Sequence, residues 1–282
     1  MRALLFSLLL AIAPPALAQT ASPAAEIMAT LKDAQNTRVL VAAHRGAHAV
    51  SPENSIDAIE GAIAMGVDII EIDVRLTRDG VPVLMHDAKV DRTTTGSGAV
   101  RDMTFDQFAA LELVDAKGAP TDLHPPTLMQ ALAAAKDRAL LDLDLKADAV
   151  EPVISRVIEA GMIDQVLFFN DGTDHLKKFV AIQPHALPMP RAHSLETTRE
   201  VSSALTPEVI HIDPGFNTRD THAAAMQSDS RMWINALGAP DQLIAEGKPS
   251  EGVDPLLANG ASILQTDRPA ELIAYLERIG RR

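Results

Sequence analysis

Nine short aliphatic runs recur along the 282-residue chain with Ala-rich stretches between them, and this alternation constrains the fold more than any other feature. The runs fall at 39–43, 69–74, 81–85, 139–145, 166–169, 187–189, 209–212, 232–235 and 262–265. The stretches 55–65, 128–136, 150–160 and 269–279 carry apolar residues at the 3.6 spacing of an amphipathic helix. Short strands alternating with such helices build βαβ units and a parallel sheet. Nine is one strand more than an eight-stranded barrel holds. Asp79-Gly80 resolves the count: a two-residue turn there folds 81–85 back antiparallel on an extended second strand and pairs Asp73 with His86. The expected fold is therefore α/β, a TIM (β/α)8 barrel over 38–282 with a small insertion after the second strand at about 88–125. A connection that long shapes a pocket above the barrel mouth, and one helix is expected in it at 104–113. A composition of 47% hydrophobic but only 3% aromatic residues suits aliphatic α/β packing.

Residues 1–18 read as a cleavable secretory signal: Arg2, the apolar run from Ala3 to Ala13, then Ala16-Leu17-Ala18, with the cut after Ala18. The run is too short to span a bilayer, and no later segment offers about 18 uninterrupted apolar residues. A periplasmic or secreted protein with no stable membrane insertion is expected, with 19–37 as a lead segment before the barrel. Removing Arg2 with the signal takes one positive charge from −13 and leaves −14. A body this acidic, without a basic stripe, repels nucleic acid and anionic membrane surfaces. The absence of Cys excludes disulfides, thiolate catalysis and Cys-ligated zinc. Nothing in the pattern sets an oligomeric state.

Four polar clusters fall at strand ends in the first third of the chain. His44 follows the first run, His86 closes the third, and Pro52-Glu53-Asn54-Ser55 and Glu71-Ile72-Asp73 lie between. Side chains two apart on a strand share a face, so Glu71 and Asp73 point together into the barrel mouth, as do Asp142, Asp144 and Lys146. Charges alternating with leucines in a buried strand are costly unless paired or metal-bound; the alternative is an ion-pair ladder that closes the barrel. Three carboxylates from neighbouring strands suit one hard divalent cation, Ca2+ or Mg2+. Nothing has the ligand pattern of zinc, and His44 and His86 serve better as proton carriers. Arg45 offers a planar fork and Lys146 a point charge for a phosphate, a combination that fits phosphoryl transfer. Ser55 is a helix N-cap; Asn54 could orient an oxygen or a histidine, and Glu53 could be a further ligand or a general-base partner. His48, His124, His175, His185, His193, His211 and His222 read as structural, and Asp267-Arg268 as a barrel-closing ion pair.

Nine motifs now stand in order: His44-Arg45-Gly46, Pro52-Glu53-Asn54-Ser55, Glu71-x-Asp73, His86-Asp87, Thr95-x-Ser97-Gly98, Pro126-Thr127-Leu128, Asp144-x-Lys146, Trp233-x-Asn235 and Thr266-Asp267-Arg268-Pro269. In this the chain resembles the glycerophosphodiester phosphodiesterase family of phosphatidylinositol-phospholipase-C-like barrels, over roughly 40–269. The resemblance implies metal-dependent cleavage of a small-molecule glycerophosphodiester to sn-glycerol 3-phosphate and an alcohol. It makes His44 and His86 the general acid and base, and Glu71 and Asp73 metal ligands. The family's third ligand is usually the Glu of a Glu-x-Lys pair; here it is Asp144, whose shorter side chain bears on metal choice. An aromatic at Trp233 lines the family's pocket, although the residue alone fits a core indole as well. A phospholipid or lysophospholipid substrate is the second reading. A periplasmic binding protein without catalysis is the third, and would be expected to have lost a histidine or a carboxylate that this chain keeps.

Overall fold

The structure, a computed structural model, describes residues 21–146 and 150–282; the expected signal at 1–18 lies outside the described residues. Eight parallel strands close on themselves: β1 (Leu40–Ala43), β2 (Ile69–Leu76), β4 (Leu140–Leu145), β5 (Val166–Asn170), β6 (Leu187–Ala192), β7 (Val209–Ile212), β8 (Arg231–Asn235) and β9 (Ala261–Thr266), with β1 hydrogen-bonded to both β2 and β9. The ninth, β3 (Pro82–Leu84), runs antiparallel on β2 outside the barrel. The expected TIM barrel is therefore the fold.

Alternation along each strand divides the interior from the helical shell. Outward residues such as Ile70, Ile72, Leu141 and Leu143 pack against the helices. Inward residues Ile69, Leu140, Leu167 and Trp233 fill the barrel's lower half. Above that apolar layer the β2–β4 register sets Glu71 beside Asp142 and Asp73 beside Asp144. Helix α1 (Pro23–Lys32) lies in the lead segment and plugs the bottom with Ala24, Ile27, Met28 and Leu31. Sealing that end leaves the upper rim as the open face, where barrel sites form.

Helix α2 (Ile56–Ala64) starts where the Ser55 hydroxyl accepts the Ala58 N–H at 3.0 Å, as its sequence position implies. Two expectations need correction. The β2–β3 register pairs Val74 with Leu84 and Leu76 with Pro82, so Asp73 faces Met85 and not His86. The turn has three residues, Arg78 to Gly80, with Gly80 at φ +80°, and the extra residue shifts the ladder by one place. In the insertion, helix α3 (Phe105–Ala109) is shorter than 104–113, because Leu113 is drawn off into a bridge with Thr94. Val90, Val100 and Phe108 join Val83 and Met85 in a separate small core that anchors the insertion to the hairpin. No helix among the described residues is long and apolar enough to cross a membrane.

Candidate active site

Four carboxylates stand on one inner face of β2 and β4, and Glu71, Asp73 and Asp142 are buried. Burial first, then the charges of Asp73, Asp144 and Asp142, push the Glu71 carboxyl well above its ordinary range. Asp142 is raised in the same way by burial and by Asp144 and Asp73. Asp144 is raised by burial although Lys146 opposes it, donating to its Oδ2 at 2.6 Å. The same ammonium lies 3.2 Å from Asp73 Oδ1. Carboxylate oxygens of Glu71, Asp73 and Asp144 all lie within 4.8 Å of one another, while Asp142 Oδ1 is buried without a hydrogen-bond partner. An all-oxygen set carrying more negative charge than Lys146 balances fits a hard divalent cation. Glu71, Asp73 and Asp144 would hold it, with Asp144 in place despite its shorter side chain.

The β1–α2 loop steers this cluster. Arg45, at φ +54°, donates its backbone N–H to Glu71 Oε2 at 2.9 Å. Its guanidinium is taken by Glu53 Oε1 at 3.1 Å and approaches Asp73 Oδ2 at 3.5 Å. Glu53 also takes both Arg92 nitrogens at 2.8 Å, which, with the Arg45 charge, overcomes burial and holds its carboxyl below the ordinary range. Arg45 and Glu53 thus help order the acidic cluster and the loop beside it. Asn54, at φ +57°, donates to Asp73 Oδ2 at 2.7 Å and accepts the Asp73 N–H at 3.0 Å, so the oxygen it orients is a carboxylate's. Asn54→Ala leaves two buried groups of Asp73 short of a partner and puts Ala in the left-handed region. We expect a loss of about 2–4 kcal/mol in urea denaturation.

Both expected histidines reach the cavity among these carboxylates, and each ring is held through Nδ1. His44 Nδ1 lies 2.7 Å from Asp267 Oδ1, and His86 Nδ1 lies 2.7 Å from Asp87 Oδ1. Asp267 is buried enough to raise its carboxyl, yet hydrogen bonds from His44 and His48 hold it well below the ordinary range. Asp87 is held low chiefly by Arg92. Ionised acceptors fix the proton on Nδ1 in both rings and leave Nε2 for the pocket. This corrects the reading of Asp267-Arg268 as a barrel-closing ion pair. Asp267 orients a histidine, whereas the Arg268 guanidinium pairs with Glu271 at 3.8 Å on the surface. Arg75, unnoticed in the sequence, donates to the His86 carbonyl from Nε at 3.0 Å and to the Lys146 carbonyl at 3.3 Å, tying two functional strand ends together.

The far wall of the cavity carries Phe169, Arg191, His211 and Asn235. Burial and the neighbouring Arg191 charge depress His211 to about 3, so the ring is neutral, and its Nδ1 is buried without a partner. Trp233 is fully buried below the rim and does not line the pocket, which corrects that expectation. Its Nε1 donates to Asn235 Oδ1 at 3.1 Å and Gln265 Oε1 at 3.3 Å, so the indole supports the wall from beneath.

A profile of the glycerophosphoryl diester phosphodiesterase family matches residues 44–264. The chain belongs to that family. As a family member it is 33% identical over 156 residues to a glycerophosphodiester phosphodiesterase of Caldanaerobacter subterraneus subsp. tengcongensis, covering 52% of this chain and 64% of that one. It is 51% identical over 74 residues to glycerophosphodiester phosphodiesterase 1 of Rattus norvegicus, 26% of this chain and 22% of that one. The chain thus spans less than two thirds of these relatives' lengths. Its fold is that of a Parabacteroides distasonis glycerophosphoryl diester phosphodiesterase, with a TM-score of 0.78, 22% identity, and 91% and 92% of the two chains covered. An Oleispira antarctica phosphodiesterase in complex with the product sn-glycerol-3-phosphate aligns at a TM-score of 0.70 and 20% identity, covering 84% and 96%. The family match ends before Asp267, the residue that holds His44.

Proposed function

We propose that the chain hydrolyses glycerophosphodiesters to sn-glycerol 3-phosphate and an alcohol, with His44 and His86 exchanging general acid and base roles. One observation carries this reading: two imidazoles, each anchored through Nδ1 to a carboxylate, open into the cavity that holds the Glu71, Asp73 and Asp144 cluster. The product-bound Oleispira relative supports the glycerol phosphate half of the substrate. A Ca2+ or Mg2+ ion held by Glu71, Asp73 and Asp144 would neutralise charge on the phosphate's non-bridging oxygens.

One imidazole accepts the proton of the glycerol 2-hydroxyl as that oxygen bonds to phosphorus. The other gives its proton to the alcohol oxygen as the P–O bond to it breaks, leaving a five-membered cyclic phosphate. Water then adds with the roles reversed, the ring opens, and both imidazoles return to their starting states. Lys146 and Arg191 supply cationic side chains to the cavity walls. The alcohol would occupy a cavity of about 300 Å3 between the β1–α2 loop and the insertion, bordered by His48, Glu53, Arg92, Thr93 and Asp115. The charged Glu53, Arg92 and Asp115 at its border favour a small polar alcohol over an acyl chain. Glycerophosphocholine is expected to be cleaved with a kcat/KM at least about tenfold above lysophosphatidylcholine, with phosphorus NMR reporting sn-glycerol 3-phosphate. The reverse order would support the lysophospholipid reading, and binding without product would support a binding protein. Export through the 1–18 leader belongs to the same proposal and predicts a mature protein beginning at Gln19.

A further inference from the structure

We propose that His44, His48 and Asp267 form a second metal site, suited to a borderline ion such as Zn2+, and that filling it takes His44 out of proton transfer. Asp267 Oδ1 is approached by His44 Nδ1 at 2.7 Å and by His48 Nε2 at 2.8 Å. The three ligand atoms all lie within 4.8 Å of one another. The two rings stand nearly perpendicular, at 88°, with centroids 5.8 Å apart, so their nitrogen edges converge on one carboxylate oxygen. Orienting His44 requires only the Asp267 contact. His48 on the same oxygen helps keep Asp267 ionised, and it also completes a two-imidazole, one-carboxylate set in which all three residues can be ligands.

The donor chemistry separates this site from the acidic one. Glu71, Asp73 and Asp144 offer only oxygens and suit a hard cation, whereas two imidazole nitrogens and a carboxylate are the ligand types of a three-residue zinc site with an open fourth position. The His44, His48 and Asp267 side chains are 17%, 27% and 36% exposed, which admits an ion and a water from the rim. Asp267 is fixed from below by its own N–H on Asp241 Oδ2 at 2.7 Å. Tetrahedral bonds of about 2.0–2.1 Å place ligand atoms about 3.3 Å apart, so the present contacts must open by about half an ångström. His48, on the loop before α2, can supply that movement. A metal on His44 Nδ1 leaves the ring's single proton on Nε2 and no lone pair facing the pocket. This inhibitory half rests on the proton-transfer role proposed for His44; the binding half rests on geometry alone.

The test keeps the acidic site filled with excess Ca2+ and titrates the full chain with Zn2+ by calorimetry, with Co2+ as a visible probe. One Zn2+ per chain is expected without release of Ca2+, together with Co2+ d–d bands of a nitrogen-ligated site. His48→Asn and His48→Gln should each weaken zinc binding by at least about 100-fold, the upper end of what losing even an outer partner costs. Hydrolysis should fall with the same zinc midpoint, each protein being compared with its own zinc-free rate. Zinc binding unchanged in both His48 variants, absent altogether, or displacing Ca2+ one for one would overturn the site. Zinc bound as expected with undiminished turnover would overturn the inhibitory half and with it the role of His44.

Discussion

His44→Ala and His86→Ala are each expected to lower kcat on glycerophosphocholine by about 10²–10⁴-fold, the usual worth of a positioned proton-transfer group. The fold should survive both changes, because neither ring belongs to the hydrophobic core and each is held mainly by one carboxylate. KM should move little, since in the proposed mechanism the imidazoles act on the reacting oxygens while the cationic side chains and the acidic cluster hold the substrate. The double variant should be scarcely worse than either single one: with one proton carrier gone, the other cannot complete the exchange. Turnover near that of the starting protein in either well-folded single variant would refute the mechanism, and circular dichroism with thermal melting supplies the control for folding.

The parts of this site that the sequence made legible are those governed by period-two alternation. Glu71-x-Asp73 and Asp142-x-Asp144 had to share an inward face once their strands were recognised, and the β2–β4 register then sets them rung against rung. His44 and His86 were legible because they end aliphatic runs, and Ser55 because a hydroxyl before an Ala-rich helix has little else to do. What stayed hidden depended on distance. Asp267 sits 223 residues from His44, and beside Arg268 its charge looked already paired. The ion pairs of Arg45 with Glu53 and Asp73 stayed hidden as well, since nothing in the His44-Arg45-Gly46 motif reveals them.

Local chemistry concealed the far wall in another way. Pro188 and Pro190 lie two apart in β6 and remove donors on one edge, so the β6–β7 ladder comprises only Arg191 with His211 and Ala192 with Ile212. A strand interrupted in that way hides the inward direction of Arg191, and His211 then loses the company that would mark it as part of a site. The signal existed in Val209-Ile210-His211-Ile212, a polar residue alternating with aliphatics as in Glu71-Ile72-Asp73. The hairpin failed on one residue of loop length, which a ladder of period two converts into the wrong partner for every side chain.

Removing divalent cations is expected to abolish hydrolysis, by at least about 10²–10³-fold, and to make the protein less stable the more alkaline the buffer. The acidic cluster sets the sign. Burial and mutual repulsion raise Glu71, Asp142 and Asp144 above their ordinary values in the folded chain. Over the range from about pH 4 upward the unfolded chain therefore binds fewer protons than the folded one, and the unfolding free energy falls as pH rises until the folded groups have also ionised. A cation on Glu71, Asp73 and Asp144 removes the cause of that fall. At a hundredfold excess over Kd it should add about 2.7 kcal/mol, and it should bind better at pH 8 than at pH 5, where protons compete. Glu71→Gln separates the two roles of the cluster. The amide oxygen can still accept the Arg45 N–H, and the lost charge relieves Asp73, Asp144 and Asp142, so the metal-free variant should melt higher than the starting protein at pH 8. The same substitution should remove the melting response to Ca2+ and Mg2+ and nearly all hydrolysis. A chelated protein that keeps its turnover, or a Glu71→Gln variant that keeps its cation response, would mean that the carboxylates on β2 and β4 close the barrel and nothing more.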